Sequence, residues 1–190
     1  MKHIELFDLI APIYALFYSL QHKAYKRVLP YVNHLDTQSK VLDLACGTGG
    51  LTGILNSHFK SIIAIDGSQK MLKEAKRLHP HQSIEWVQHN LLDGLDYPNQ
   101  SFDLISTAFF LHGIKQEERL FILNEMKRVS KSICILDYYG PSHLMIDIVE
   151  KLEGGDYFNF KKQFEEELKQ VFDTIRIIPL HKNVALYLNY

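Results

Sequence analysis

Five short apolar runs, at residues 40–45, 61–65, 83–88, 102–107 and 132–138, recur along the chain with amphipathic stretches between them. Each is too short for a buried helix and reads as a buried strand of a parallel sheet. Between them, Met71, Leu72, Ala75 and Leu78, and later Leu120, Leu123, Met126 and Val129, recur at helical spacing. Strand and helix in alternation predict an α/β fold with a Rossmann-like doubly wound sheet. After the fifth run, Phe164, Leu168, Val171 and Phe172 mark another amphipathic helix, followed by β-like runs at 174–179 and 184–189. The link between those two runs is too short for a parallel crossover, so they are expected to pair antiparallel.

The chain reads as one domain over 1–190. Aromatic-rich N-terminal helices are expected over 1–39, a ligand-binding core over 40–139, a helical lid or substrate segment over 140–173, and a C-terminal hairpin over 174–190. With 190 residues, 46% hydrophobic and 23% charged, the chain can bury a single core. Its 21 Lys and Arg against 22 Asp and Glu, a net charge of −1, lack the basic surplus of a nucleic-acid binder. The longest apolar stretch, 9–20, contains Pro12 and Ser19 and is too short to span a bilayer. Glu5 and Asp8 interrupt the N-terminus and no small-residue cleavage site follows, so no secretory signal is expected. Cys46 and Cys134 stand far apart and form neither a disulfide framework nor a metal cluster. A cytoplasmic protein with no nucleic-acid partner, no membrane span and no metal site is therefore expected. The sequence leaves the oligomeric state open.

The chemistry concentrates at the first strand, where Val41-Leu-Asp43-Leu-Ala45-Cys46-Gly47-Thr48-Gly49-Gly50 runs from apolar residues into a glycine-rich turn ahead of a helical stretch. Such glycines let a ligand approach the backbone. Asp66 ends the second strand nineteen residues after Gly47, where a carboxylate can hold both hydroxyls of a ribose. A dinucleotide would lay its pyrophosphate over the turn, against the charge of Asp43, and the third glycine of a G-x-G-x-x-G pattern is replaced by Thr52. A cationic nucleoside such as S-adenosylmethionine, with an ammonium and a sulfonium near the turn, suits an acidic residue at Asp43, directly or through water.

At these residues the chain resembles the class I S-adenosylmethionine-dependent methyltransferases, most closely the small-molecule branch that includes the quinone-biosynthesis methyltransferases. Asp43-Leu-Ala-Cys-Gly-Thr-Gly resembles the family's first motif, Asp66-Gly-Ser-Gln-Lys-Met-Leu-Lys-Glu-Ala its ribose-binding motif, and Tyr97-Pro-Asn-Gln-Ser-Phe-Asp-Leu-Ile-Ser its fourth-strand motif. The resemblance implies a seven-stranded sheet with a reversed last strand. It implies that Gly47 and Gly49 approach the methionine part, Asp66 binds the ribose, Met71 packs on the adenine, and Asn90, where the branch usually has an acidic residue, accepts from the adenine amino group. Tyr14 resembles the tyrosine of an N-terminal family motif, with Ala15 in place of the usual Asp. The expected cofactor set is Tyr14, Asp43, Ala45, Gly47, Gly49, Asp66, Gly67, Met71, Asn90, Leu91 and Thr107. Val129-Ser130-Lys131-Ser132 stands where the family usually places a proline-glycine turn.

Methyl transfer is an in-line displacement that asks the protein to align two reactants and exclude water. A base is needed only where the acceptor holds a proton at neutral pH. Sites in open α/β sheets lie beyond the carboxyl ends of the strands, which selects Ser106, Thr107 and His112 after the fourth strand and Asp137, Tyr138 and Tyr139 after the fifth. His112 and Tyr139 are the candidate catalytic residues, although His112 reads equally as a surface histidine and the tyrosines as rim packing. The stretch 154–160, two glycines followed by aromatics, reads as a substrate lid or as a turn into the next helix. Lys161, Lys162 and Glu165-Glu166-Glu167 read as a solvated helix face. Ser106-Thr107-Ala108-Phe109 lacks the Asp/Asn-Pro-Pro-aromatic motif of DNA amino-methyltransferases. The expected activity is S-adenosylmethionine-dependent methylation of a small molecule. A cofactor-binding regulator without activity, an RNA-modifying methyltransferase and a nucleotide-dependent oxidoreductase stand as alternatives.

Overall fold

The structure, a computed structural model, describes residues 25–80, 83–141 and 154–189. Tyr14, most of the expected N-terminal helices and residues 142–153 of the expected lid lie outside them. Seven strands appear in chain order as β1 (Lys40–Leu44), β2 (Ser61–Asp66), β3 (Ile84–Gln88), β4 (Leu104–Ala108), β5 (Ile133–Tyr138), β6 (Arg176–His181) and β7 (Val184–Asn189). The longer helices are α1 (Gly50–Asn56), α2 (Gln69–Leu78), α3 (Gln116–Val129) and α4 (Tyr157–Val171). One sheet runs β3-β2-β1-β4-β5-β7-β6. Its first five strands are parallel, and β7 pairs antiparallel with both β5 and β6. This is the doubly wound sheet with a reversed C-terminal strand that the sequence predicts.

The period-two alternation of each central strand sorts its side chains between two helical layers. Leu42 and Leu44 of β1, Ile105 of β4 and Ile133 and Ile135 of β5 pack with Leu123 and Met126 of α3 and with Phe160, Phe164 and Leu168 of α4. On the opposite face Val41, Ile62, Leu104 and Leu136 pack with Leu51, Ile54 and Leu55 of α1 and with Val28 and Val32. Strand order reverses between β1 and β4, so the chain leaves these neighbours in opposite directions and a crevice opens beyond their carboxyl ends. The fourth strand is shorter than its apolar run because Phe102 makes only an isolated bridge to Ser130, and the ladder begins at Leu104.

The outer face of α4 is less solvated than its charges suggest. Arg119 of α3 and Glu167 of α4 are both fully buried and meet in a fork, Nε to Oε2 at 2.7 Å and Nη2 to Oε1 at 2.8 Å. Arg119 Nη1 also donates to Asp156 Oδ2 at 2.9 Å and to the Ile114 carbonyl at 2.5 Å, and the guanidinium lies 5.6 Å from the Phe160 ring centroid. Glu167 is therefore no part of a solvated face, whereas Glu166 is, pairing with Lys169 across one turn. The fork ties α3, α4 and the loop before α4 to the turn that follows β4.

Removing one partner strands a buried charge. Arg119→Ala is expected to lose about 3–5 kcal/mol in urea unfolding, while Arg119→Met with Glu167→Leu recovers most of that loss by restoring apolar packing. Equal losses in the single and double variants would contradict a paired-charge origin.

Candidate active site

At the crevice, β1 ends in a carboxylate that turns inward. Asp43 is 1% exposed; its Oδ2 accepts from Thr52 Oγ1 of α1 at 2.5 Å and its Oδ1 from Ser106 Oγ of β4 at 2.6 Å. Burial pushes the Asp43 carboxyl up to about 6 against the pull of both hydroxyls, and the nearby charge of Asp66 adds to the rise. The sequence reading has Asp43 facing a ligand's positive groups; the structure gives its oxygens to two hydroxyls instead. Thr52, which stands where the dinucleotide pattern has a glycine, supplies one of these hydroxyls. The charge beneath the turn still registers: burial, then Asp66, then Asp43 hold the Cys46 thiol well above its usual range. Cys46 is thus a protonated turn residue in a negative field.

The turn itself is built from left-handed residues, Ala45 at φ 50°, Gly47 at φ 54° and Gly49 at φ 81°. The two glycines serve different ends. A Cβ on Gly47 would meet nothing within 4 Å, which leaves its backbone open to an approaching group. A Cβ on Gly49 would come to 2.6 Å from the Trp86 ring and 3.0 Å from His79, so this glycine exists for packing as well as for its φ. The space beside Gly47 is open, whereas that beside Gly49 is filled by Trp86 and His79. Ala45 has a Cβ in the same left-handed region and carries the strain that goes with it, about 1–2 kcal/mol.

Asp66, at the end of β2, reaches across to this turn. Its Oδ2 accepts from the Gly47 backbone N–H at 2.8 Å and its Oδ1 from Ser68 N–H at 2.8 Å. Ser68 caps α2 by accepting from Met71 N–H at 3.1 Å, and Met71 is buried in that first turn. Gly67 carries a carbonyl that accepts from Gln88. Asn90, exposed after β3, accepts from Leu92 N–H at 3.3 Å and donates to Asp93, capping the short turn that buries Leu91. Thr107, next to last in β4, is fully buried, and its hydroxyl has no hydrogen-bond partner among the described residues. An orphaned hydroxyl, an open glycine backbone and a negative field around Cys46 and Asp66 fit a cationic nucleoside better than a pyrophosphate.

Beyond β4 and β5 lies a second polar group. His112 is 7% exposed and so is not a surface histidine. Its Nδ1 sits 2.7 Å from Oδ1 of Asp137, which is fully buried on β5. The ring beside His112 is that of Tyr138, at 4.7 Å between centroids, while Tyr139 pairs through its backbone N–H with the Asn183 carbonyl. The glycine-aromatic stretch 154–160 is packed on one side only: Gly155 backs onto the Gly113 backbone and Tyr157 and Phe160 are buried at the start of α4, while Phe158 is exposed. It forms a turn into a helix, with Asp156 held by Arg119. Among the described residues no helix is long and apolar enough to cross a membrane.

Residues 41–132 match a family described as a methyltransferase domain. A demethylmenaquinone methyltransferase of Thermotoga maritima is 35% identical over 153 residues, covering 74% of this chain and 64% of the relative. A 2-phytyl-1,4-naphtoquinone methyltransferase of Trichormus variabilis is 30% identical over 152 residues, covering 73% and 65%. The chain thus spans just under two thirds of the length of these curated relatives. Among solved structures, a DhpI–SAH complex superposes with a TM-score of 0.75 at 18% identity over 98% of this chain and 93% of that one. A SAM-dependent methyltransferase from Aquifex aeolicus superposes with a TM-score of 0.67 at 20% identity over 86% and 87%. Residues 41–132 are thus similar to a methyltransferase domain, and the chain shares its fold with these solved methyltransferase structures.

Two measurements probe the site without ligand. The Asp43 carboxyl holds its proton more tightly folded than unfolded, so between its ordinary 3.8 and about 6 the folded state binds more protons and loses stability as pH rises. Stability of Asp43→Asn relative to the parent should therefore improve by up to about 3 kcal/mol from pH 4 to pH 7; a pH-independent difference would contradict the assignment. Thr107→Val, which removes the orphaned hydroxyl at nearly constant volume, should raise stability by about 1 kcal/mol or more in urea unfolding, and a loss would show that the hydroxyl has a partner.

Proposed function

We propose that this protein transfers the methyl group of S-adenosylmethionine to a small molecule. One observation carries the reading: the Gly47 N–H bonded to Asp66 at 2.8 Å, which joins the open glycine turn to the β2-end carboxylate at the point where strand order reverses. That juxtaposition supplies a backbone that a ligand can approach, a carboxylate for two vicinal hydroxyls, and a field that favours positive charge. When bound, the donor supplies a methyl group on a positively charged sulfur. In this reading Asp66 accepts from the ribose hydroxyls and Gly47 admits the methionine portion. Met71, Gly67, Asn90 and Leu91 line the adenine side. Thr107 meets the ligand from the end of β4, and Ala45 shapes the turn. Asp43 acts from beneath, holding α1 and β4 against β1. Tyr14 belongs to the same set by resemblance.

The relatives named for demethylmenaquinone and 2-phytyl-1,4-naphtoquinone support a ring-bearing acceptor. The near-balanced charge speaks for a small molecule over nucleic acid, and the two isolated cysteines for a cytoplasmic setting. Calorimetric titration tests the donor site. S-adenosylmethionine and S-adenosylhomocysteine should bind in the micromolar range, NAD should not, and Asp66→Ala should weaken binding on the order of tenfold to a hundredfold. Absence of binding at millimolar ligand would overturn the reading.

A further inference from the structure

The sheet has two outer edges, and they are built differently. β6 carries Pro179 and a register shift between Pro179 and His181, which interrupt its outer row of hydrogen-bonding groups. β3 carries neither. Its five residues run in unbroken parallel register with β2, from Ile84 opposite Ile62 to Gln88 opposite Asp66. Among the described residues no strand lies on its other side. A parallel strand spends alternate residues on its neighbour, so the remaining N–H and C=O groups of β3 point outward, where an added strand can pair with them. Beside this edge lies a groove of about 490 Å³ between β3 and α2, bordered by Trp86 and Gln88 of the strand and Leu72 of the helix. Trp86 is a firm wall: its ring rests on His79 at 5.9 Å between centroids and leaves no room for a Cβ on Gly49. Along the helical side stand Lys70, Lys73 and Lys76, all exposed. Among the described residues none of the three is in an ion pair; Glu74, the acidic residue of the helix, is taken by Arg77 at 2.7 Å. Three ammonium groups thus make one face of this edge positive. Glu85 lies on the opposite face from Trp86, because side chains alternate along a strand.

From this juxtaposition we infer that β3 is a docking edge for an extended segment of a partner protein, one that adds a strand to the sheet and carries acidic side chains at every second position. Main-chain hydrogen bonds supply the affinity, and the alternate side chains select the partner. Side chains on one face of a strand recur about every 6.7 Å, so about two carboxylates match the lysine stripe, roughly 9 Å long from Lys70 to Lys76. The positions between them share a face with Glu85 and are neutral. A second copy of this chain fits poorly, because antiparallel β3–β3 pairing about a two-fold axis sets the lysines of both copies on one face, like against like. The chain's own residues 1–24 lack the charge, with Lys2 and Lys23 against Glu5 and Asp8. The acidic stretch 142–153 follows β5, which three strands separate from β3. Nucleic acid would answer the lysines but not the row of backbone groups.

Trp86 is the chain's only tryptophan, so its emission reports occupancy of the groove. The probe is a capped peptide of about eight residues that alternates Glu with Thr, long enough to span β3. Titrated into the whole chain and followed by calorimetry and by Trp86 emission, it should bind, with affinity falling as salt is raised. Lys73→Glu combined with Lys76→Glu, both at exposed positions, should weaken binding by about tenfold or more. Methylation of alternate peptide nitrogens should do the same in the register that faces β3, since it removes strand hydrogen bonds and leaves every charge in place. The same peptide with Lys in place of Glu should not bind. No peptide binding at millimolar concentration, heat of binding without a Trp86 signal, or equal binding of the Lys peptide overturns the inference. Binding undiminished by the lysine variant, or by methylation in both registers, overturns it as well, as does tighter binding of an oligouridylate of the same length. A dimer of the protein alone in sedimentation that the peptide dissociates would assign this edge to a second copy and overturn it too.

Discussion

Asp43 is a carboxylate with its two oxygens committed to hydroxyls on different elements, Thr52 at the start of α1 and Ser106 within β4. Those bonds lock three pieces of chain at the place where the sheet reverses its strand order. They tie α1 and β4 to β1 beneath the glycine turn. Such an arrangement costs stability, because burial, with the nearby charge of Asp66 adding to it, holds the carboxyl at about 6 despite both donors. A core assembled for stability alone would place an apolar side chain there. The carboxylate instead leaves the turn in a negative field, felt at Cys46, and Asp66 adds a second acidic group across 2.8 Å of hydrogen bond. The same field that raises these groups favours a positively charged ligand, so the device that shapes the turn also selects what can lie over it.

A second constraint governs the neighbouring strand ends. The Arg119 fork with Glu167 is buried, and its third arm reaches Asp156. Through the Ile114 carbonyl it holds the turn on which His112 sits. The helical layer formed by α3 and α4 is thus pinned to the carboxyl edge of the sheet by charge, not only by the Phe160–Phe164 stack and its apolar neighbours. Left-handed backbone at Ala45 and Phe109 marks the ends of β1 and β4, the two strands that bound the crevice. Strain at both edges of one opening is what a preorganised site requires.

Much of this was legible from residue order. Central strands buried on both faces produce apolar runs that need no partner to be recognised, and the short link before Val184 forced an antiparallel pair. The pairings that build the site were harder to see. Thr52 stood out only as a missing glycine, because its partner Asp43 lies on another element. His112 and Asp137 are 25 residues apart and meet because β4 and β5 are neighbours, which is a property of the sheet order. Arg119 and Glu167 did leave a trace. Arg119 shares a helical face with Ile122, Leu123 and Met126, and Glu167 with Phe164, Leu168 and Val171, so their phase placed them inward while their charge suggested the surface. Periodicity was the better guide there, because two opposite charges on facing apolar stripes can be buried together.

The central claim is that the Gly47–Asp66 junction is a nucleoside site whose reactive end points toward β4. A crystal structure of the protein with S-adenosylhomocysteine tests it most directly. The account predicts both ribose hydroxyls within hydrogen-bonding distance of Asp66, the amino-acid portion over Gly47, and the sulfur on the side of Thr107 and His112. A ligand bound elsewhere on the chain, or one whose ribose makes no contact with Asp66, would contradict it.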